Sequence, residues 1–244
     1  MTALLRLCAT ETTLFFREPT SVFFTLGLPP LLLVIVGAVP SFREPGLDGL
    51  RTIDVYTPVV VVLGIGLIAM TVLPQQFATY REKGVLRRLR TTPVTPATML
   101  GAQLLLATAV SVTTMLVVLT VARVAFDVTL PAAPVAYVLA YVMTASAMFV
   151  LGLLVASLAP SGKSAGAAGT LLFCPILFFA GLWIPRDSMN DVLRRISDFT
   201  PLGAGAQSLQ DAAAGQWPEL LHLAVMLAWT VVAGGVAARC FRWE

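Results

Sequence analysis

Charge is what this chain lacks most. Asp, Glu, Lys and Arg make up 12% of its 244 residues, about half the share of an ordinary soluble domain. Apolar residues reach 57% and mean hydropathy is +0.86. That balance excludes a soluble globular domain and points to a polytopic membrane protein. Histidine and cysteine are scarce too. Cys8, Cys174 and Cys240 are odd in number and far apart, so no disulfide is expected. His222 is the one histidine, and without a second ligand it predicts no metal site. Beside Trp217 and Glu219 it reads as an interfacial anchor rather than a catalytic group. No cleavable leader is expected, because Glu11, Arg17 and Glu18 interrupt the first apolar stretch.

A spanning helix needs about 20 apolar residues. Six runs qualify: 22–39, 55–78, 98–121, 135–158, 165–184 and 220–238. None of them holds an Asp, Glu, Lys or Arg, whereas ion-coupled carriers keep ionisable groups in their spans. No repeat relates the two halves, which also disfavours a secondary carrier. A membrane-embedded lipid enzyme needs a nucleophile–base pair or a metal, and the residues to build one are missing. The polar groups at depth are Gln75, Gln76, Gln103 and scattered Ser and Thr. Gln75 and Gln76 read as interface residues. Energy for any transport therefore has to come from outside the chain. Pro29 and Pro30 are expected to kink the first span.

Six spans put both termini on one side. With the termini inside, the inner segments hold ten Lys/Arg against four Asp/Glu, and the outer segments six against nine. Cytoplasmic loops carry the Lys/Arg excess, so the expected orientation is N-in, C-in. Before the first span, residues 1–18 carry a polar stripe of Arg6, Thr10, Thr13 and Arg17, with Leu5, Cys8, Ala9, Phe15 and Phe16 largely opposite. A helix in the interface plane fits, and a plain cytoplasmic lead-in is the alternative. Glu11 and Glu18 spoil the polar edge.

The longest outer segment, 185–218, has helical order. Ser188-Met189-Asn190-Asp191 reads as an N-cap with an acid three residues on. Met189, Val192, Leu193, Ile196 and Phe199 follow as one apolar face. Pro201 is expected to stop this helix, Gly203 and Gly205 to permit a turn, and a second short helix to follow over 207–214. Such helices fit a re-entrant gate, with Met189, Leu193, Ile196 and Phe199 as its face. A solvated helix packed on the spans fits equally well. Phe173, Phe178, Phe179 and Trp183 enrich span five in aromatics and are candidates for a lipophilic path. Packing and a Trp belt are the blander account.

Five of the sixteen Lys/Arg fall within ten residues: Arg81, Lys83, Arg87, Arg88 and Arg90. This basic island joins spans two and three. Read as a helix, Val85 and Leu89 stack while Arg87, Arg88 and Arg90 lie elsewhere around the axis. Pro93 and Pro96 end it. The expectation is a short surface helix offering a cationic face to a cytosolic partner. Ser161-Gly162-Lys163-Ser164 looks like the end of a phosphate-binding loop, but Ser157 stands where that loop needs glycine, and the tetrapeptide joins two spans. No nucleotide site is expected in this chain, and no nucleic-acid partner.

The stretch Arg81-Glu82-Lys83-Gly84-Val85-Leu86-Arg87-Arg88-Leu89-Arg90-Thr91-Thr92-Pro93-Val94-Thr95-Pro96 resembles the signature loop of ABC type-2 exporter permeases, of the drug-resistance (daunorubicin) type and of the polysaccharide type. Phe179-Ala180-Gly181-Leu182-Trp183-Ile184-Pro185 and Phe199-Thr200-Pro201-Leu202 resemble the same family's segment before the last span. The similarity runs through essentially the whole chain as one permease domain, 1–244. It implies an all-α integral membrane protein of six spans in a bacterial cell membrane, in contact with lipid. It also implies a half-transporter that pairs with a second permease, a homodimer in the simplest case, and docks a separate ATP-binding subunit. No cofactor is expected in this chain; ATP and Mg belong to that subunit.

By the resemblance, 81–97 is the coupling segment, with Arg81, Glu82, Gly84, Arg87, Arg88, Arg90 and Pro93 as its residues. Glu82 and Gly84 occupy the family's Glu and Gly. Gln103 stands where many members have Lys and receives no role. A lipophilic small molecule such as an antibiotic is the expected cargo, with a lipid-linked glycan as the runner-up.

Overall fold

The computed structural model describes residues 3–45, 51–85 and 96–240. Among them, six helices are long and apolar enough to cross a membrane, and no strand is formed. A surface helix, α1 (Ala3–Phe16), precedes the spans α2 (Pro19–Ala38), α3 (Thr52–Glu82), α4 (Pro96–Phe126), α5 (Pro134–Leu158), α6 (Gly162–Phe179) and α9 (Leu220–Cys240). Two short helices, α7 (Asp191–Phe199) and α8 (Pro201–Ala213), lie between α6 and α9. The apolar runs account for all six spans; α6 ends at Phe179, before the predicted 184.

The centre of the bundle is α3. Of its apolar stretch 78% is buried, against 50% or less in each of the other spans. Spans α2, α4, α5 and α6 pack against it and α9 packs on α5, and they turn apolar side chains such as Leu171, Val231 and Leu116 outward. Outward apolar faces with a buried central helix are what a lipid solvent selects.

Two π-turns break the α-helical spacing, and each precedes a proline. In α2 it spans Phe23–Gly27, just before Pro29 and Pro30. Pro29 has no N–H, so the carbonyl of Thr25 loses its usual donor. The Thr114 hydroxyl of α4, shared with Val110 of its own helix, lies 3.1 Å from that carbonyl. The expected kink is therefore a widened turn supported from α4. In α3 the π-turn is Ile68–Val72, before Pro74. Here the freed carbonyl belongs to Met70, and it faces Gly169 of α6. A Cβ on Gly169 would stand 1.7 Å from Met70 O, and one on Gly152 of α5 would stand 2.0 Å from Ala69 O. Spans α5 and α6 thus meet the backbone of α3 at one level, where only glycine lets them approach.

The tetrapeptide that mimics a phosphate loop is a helix start. Ser161 Oγ accepts from Ser164 N at 3.2 Å, and Ser164 Oγ accepts from Ser161 N at 3.0 Å, a complete capping box for α6. Three expectations for the segment before α9 need correction. Asn190, not Ser188, caps α7, with its Oδ1 accepting from Leu193 N at 2.9 Å. Pro201 opens α8 rather than merely ending α7, because Thr200 Oγ1 accepts from Gly203 N at 3.1 Å and proline suits the first helical position. Gly203 and Gly205 lie inside α8, against Ser197 and Thr144, and make no turn. The carbonyls ending α8 are capped by the N–H groups of Ala132 and Ala133.

Candidate functional site

One end of the bundle gathers α1, the last turn of α3, the α5–α6 connection and the last turn of α9. Arg81, Ser157, Pro160 and Arg239 line a single cleft there. Arg81 and Glu82 are the final residues of α3, continuous with the span, and Gly84 follows with φ +65. That left-handed residue turns the chain away, and nothing lies within 4 Å of where its Cβ would be. Arg87, Arg88, Arg90 and Pro93 lie outside the described residues.

Arg81 and Glu82 do not both point to an external partner. The Arg81 guanidinium donates to Ser157 O at 3.3 Å and to Ala159 O, where the C-terminus of α5 leaves carbonyls without partners. Glu82 Oε2 accepts from Gly162 N at 3.0 Å, at the N-terminus of α6. Cation on a helix C-terminus and carboxylate on a helix N-terminus is the arrangement that the two helix dipoles favour. Neighbouring residues of one helix therefore hold both ends of a single short connection.

A second polar cluster at this end ties α1 to the spans. Glu11 is buried; its carboxylate accepts from Tyr80 OH at 2.9 and 3.0 Å and from Gln103 Nε2 at 2.7 Å. Burial holds the Glu11 carboxyl above the ordinary carboxylate range, and the Tyr80 hydroxyl partly offsets this. Sequence reasoning treated Glu11 as a blemish on an amphipathic helix and gave Gln103 no role. The one available signal was an acid set among apolar neighbours in α1. Its partners, 69 and 92 residues away, leave no mark on local periodicity.

At the opposite end, the predicted gate and path residues have differing surroundings. Met189 is buried and Leu193 half-buried, while Ile196 and Phe199 are exposed, as is Val192. Phe173 is buried beside Gly66, Phe178 and Phe179 stack edge to face 5.4 Å apart, and Trp183 is 68% exposed. His222 is no interfacial anchor. It is 2% exposed, and its Nε2 lies 3.1 Å from Asp198 Oδ1, which Arg186 also contacts. Ser197 Oγ donates to Phe179 O at 2.6 Å, and Trp229 Nε1 to Phe199 O at 2.9 Å. These contacts pin α7 to α6 and α9.

The sequence profile of the ABC-2 type transporter family matches residues 2–213, from α1 through α8. The chain belongs to that family. No curated protein matches it. In an ABC-2 transporter the membrane domain is the permease component, not itself catalytic, and the family implies partnership with an ATP-binding subunit. The permease match takes in both polar clusters at the terminal end of this bundle.

Proposed function

We propose that this chain is the membrane-spanning half of an ATP-driven exporter, working as a homodimer in the bacterial cell membrane with both termini in the cytoplasm. A separate ATP-binding subunit, carrying ATP and Mg, docks on the basic segment 81–97. The cargo is a lipophilic small molecule such as an antibiotic. On this reading α7 and α8 lie at the outer side as a re-entrant pair.

One observation carries the proposal. The basic segment leaves α3 at residues that grip α5 and α6: Arg81 on the α5 carbonyls and Glu82 on the α6 N-terminus. A push on Arg87, Arg88 or Arg90 from below would reach three spans at once rather than one loop. Glu11 extends the same grip to α1 and α4 through Tyr80 and Gln103. The partner's two states then shift the bundle by differential contacts, the requirement for any driven conformational change. The apolar runs within the spans carry no Asp, Glu, Lys or Arg on which ion coupling could rest.

Gentle detergent extraction from the native membrane, followed by mass spectrometry of the intact complex, tests this. Two copies of this chain with two of a soluble ATP-binding subunit are expected. A stable permease dimer or monomer that never carries such a subunit would overturn the reading.

A further inference from the structure

Beside the Glu11 cluster, a groove of about 490 Å³ separates the corner that joins α1 to α2 from the last turns of α3. Leu14, Arg17, Glu18 and Ser21 form one side of it. The other side is a single face of α3, where Val72, Gln75, Thr79 and Lys83 recur at helical spacing. That face runs from an apolar side chain, through an amide and a hydroxyl, to an ammonium about 16 Å further on. Along α3 the groove is thus apolar within the span and cationic where the span ends.

Its charges are not balanced. Arg17 and Lys83 are exposed, and neither forms an ion pair among the described residues. Glu18 is the acid of the lining, and its Oε2 accepts from Ser21 Oγ at 3.0 Å rather than from either cation. Glu11, Arg81 and Glu82, at the same end, each have partners within the protein. Two cations against one acid leave the groove one positive charge in excess.

From this gradient we infer that the groove binds one phospholipid with a singly charged phosphodiester head, of the phosphatidylglycerol class. Its phosphate would sit between Arg17 and Lys83, with its glycerol backbone at Gln75 and its chains along Val72 and the charge-free run of the span. Basic pockets between spans at a membrane face suit anionic heads. A soluble anion would leave the apolar wall uncovered. A zwitterionic head would bring an ammonium to a groove already in positive excess. Bound there, the lipid would tie the α1–α2 corner to the turn of α3 from which the basic segment leaves. Tyr80, the partner of Glu11, lines the same groove, so the lipid would reinforce the hold on α1. As a lipid site the groove does not rest on the exporter reading.

The test titrates the purified full chain with dioleoyl phosphatidylglycerol or dioleoyl phosphatidylethanolamine and counts bound lipid by native mass spectrometry. One phosphatidylglycerol per chain should bind about fivefold more tightly than phosphatidylethanolamine, the worth of one net charge at a membrane surface. Arg17→Gln and Lys83→Gln each make the groove neutral and should each remove that preference. Glu18→Gln leaves both cations unopposed and should raise it to about thirtyfold. Arg239→Gln removes an exposed cation at the same end but outside the groove, and should leave the preference as it was. Glycerol 3-phosphate, a head without chains, should not displace the lipid. Both neutralised side chains are exposed, so the variants should still melt cooperatively. Equal binding of the two lipids, or a preference that survives Arg17→Gln and Lys83→Gln, overturns the inference. An equal fall in Arg239→Gln would mean diffuse attraction, and displacement by glycerol 3-phosphate would mean a soluble-anion site; either overturns it too.

Discussion

At the scale of single residues, charge in this permease is placed to finish helices and to join them. Glu11 is the clearest case, because it is buried and yet accepts from two donors. Glu11→Ala leaves Tyr80 and Gln103 without an acceptor and should cost about 1–3 kcal/mol, seen as a lower melting temperature in detergent. Its pH dependence has a definite sign. Burial raises the folded-state pKa above the ordinary 4.5. Between the two values the folded chain keeps a proton that the unfolded chain has released, so stability falls as pH rises through that window. Glu11→Gln cannot ionise. The melting temperature of the wild type, measured against Glu11→Gln, should therefore fall as pH is raised from about 4.5 to about 7; a constant difference would contradict the assignment. Glu82→Lys puts a cation on the N-terminus of α6, where the dipole opposes it. Export should drop while the ATP-binding subunit still co-purifies. Normal export with normal partner binding would remove Glu82 from the coupling path.

At the scale of elements, the six spans were legible because each is a continuous apolar run, whereas the caps were missed although Ser161, Asn190 and Thr200 are good N-cap residues. The error around Ser188 and Pro201 arose from reading punctuation in one direction. A proline after threonine stops one helix and starts the next, and only the buried face of α8 decides between the two. The polar pairs of Glu11, Arg81 and His222 were illegible, since each partner is supplied by a different element. A cap is a local matter, and its effect is predictable. Thr200→Ala should cost about 1 kcal/mol, read from thermal unfolding, with no change in spans. Gly169→Leu is a different kind of change. Met70 O occupies the space where its Cβ must go, so α6 has to move off α3. Loss of cooperative melting is expected, and a normal melt would mean the two backbones are not in contact.

For the whole molecule, the two ends do different things. The end bearing the termini collects α1, α3, α5, α6 and α9 around Arg81, and the opposite end encloses a cavity between α3, α4, α5 and α8. Both include α3, the one span buried along most of its length. Arg87→Glu together with Arg88→Glu reverses the basic island, so the purified complex should lose its ATP-binding subunit while the permease still melts cooperatively. Joint loss of both would mean that the double variant disturbs the bundle itself.

The π-turn at Ile68–Val72 also sets the angular phase of α3. Each residue advances an α-helix by about 100°, so one residue accommodated in a widened turn fixes how the lower half of the shaft is clocked against the upper half. Remove a residue from a regular turn of α3, and Arg81 and Glu82 swing about a quarter turn from the helix ends they hold; remove one from the widened turn, and it closes to a regular one with Asp54 and Val55, Arg81 and Glu82 still on their faces. The widened turn works as a keyway, keeping the faces of α3 at the two ends of the molecule in step.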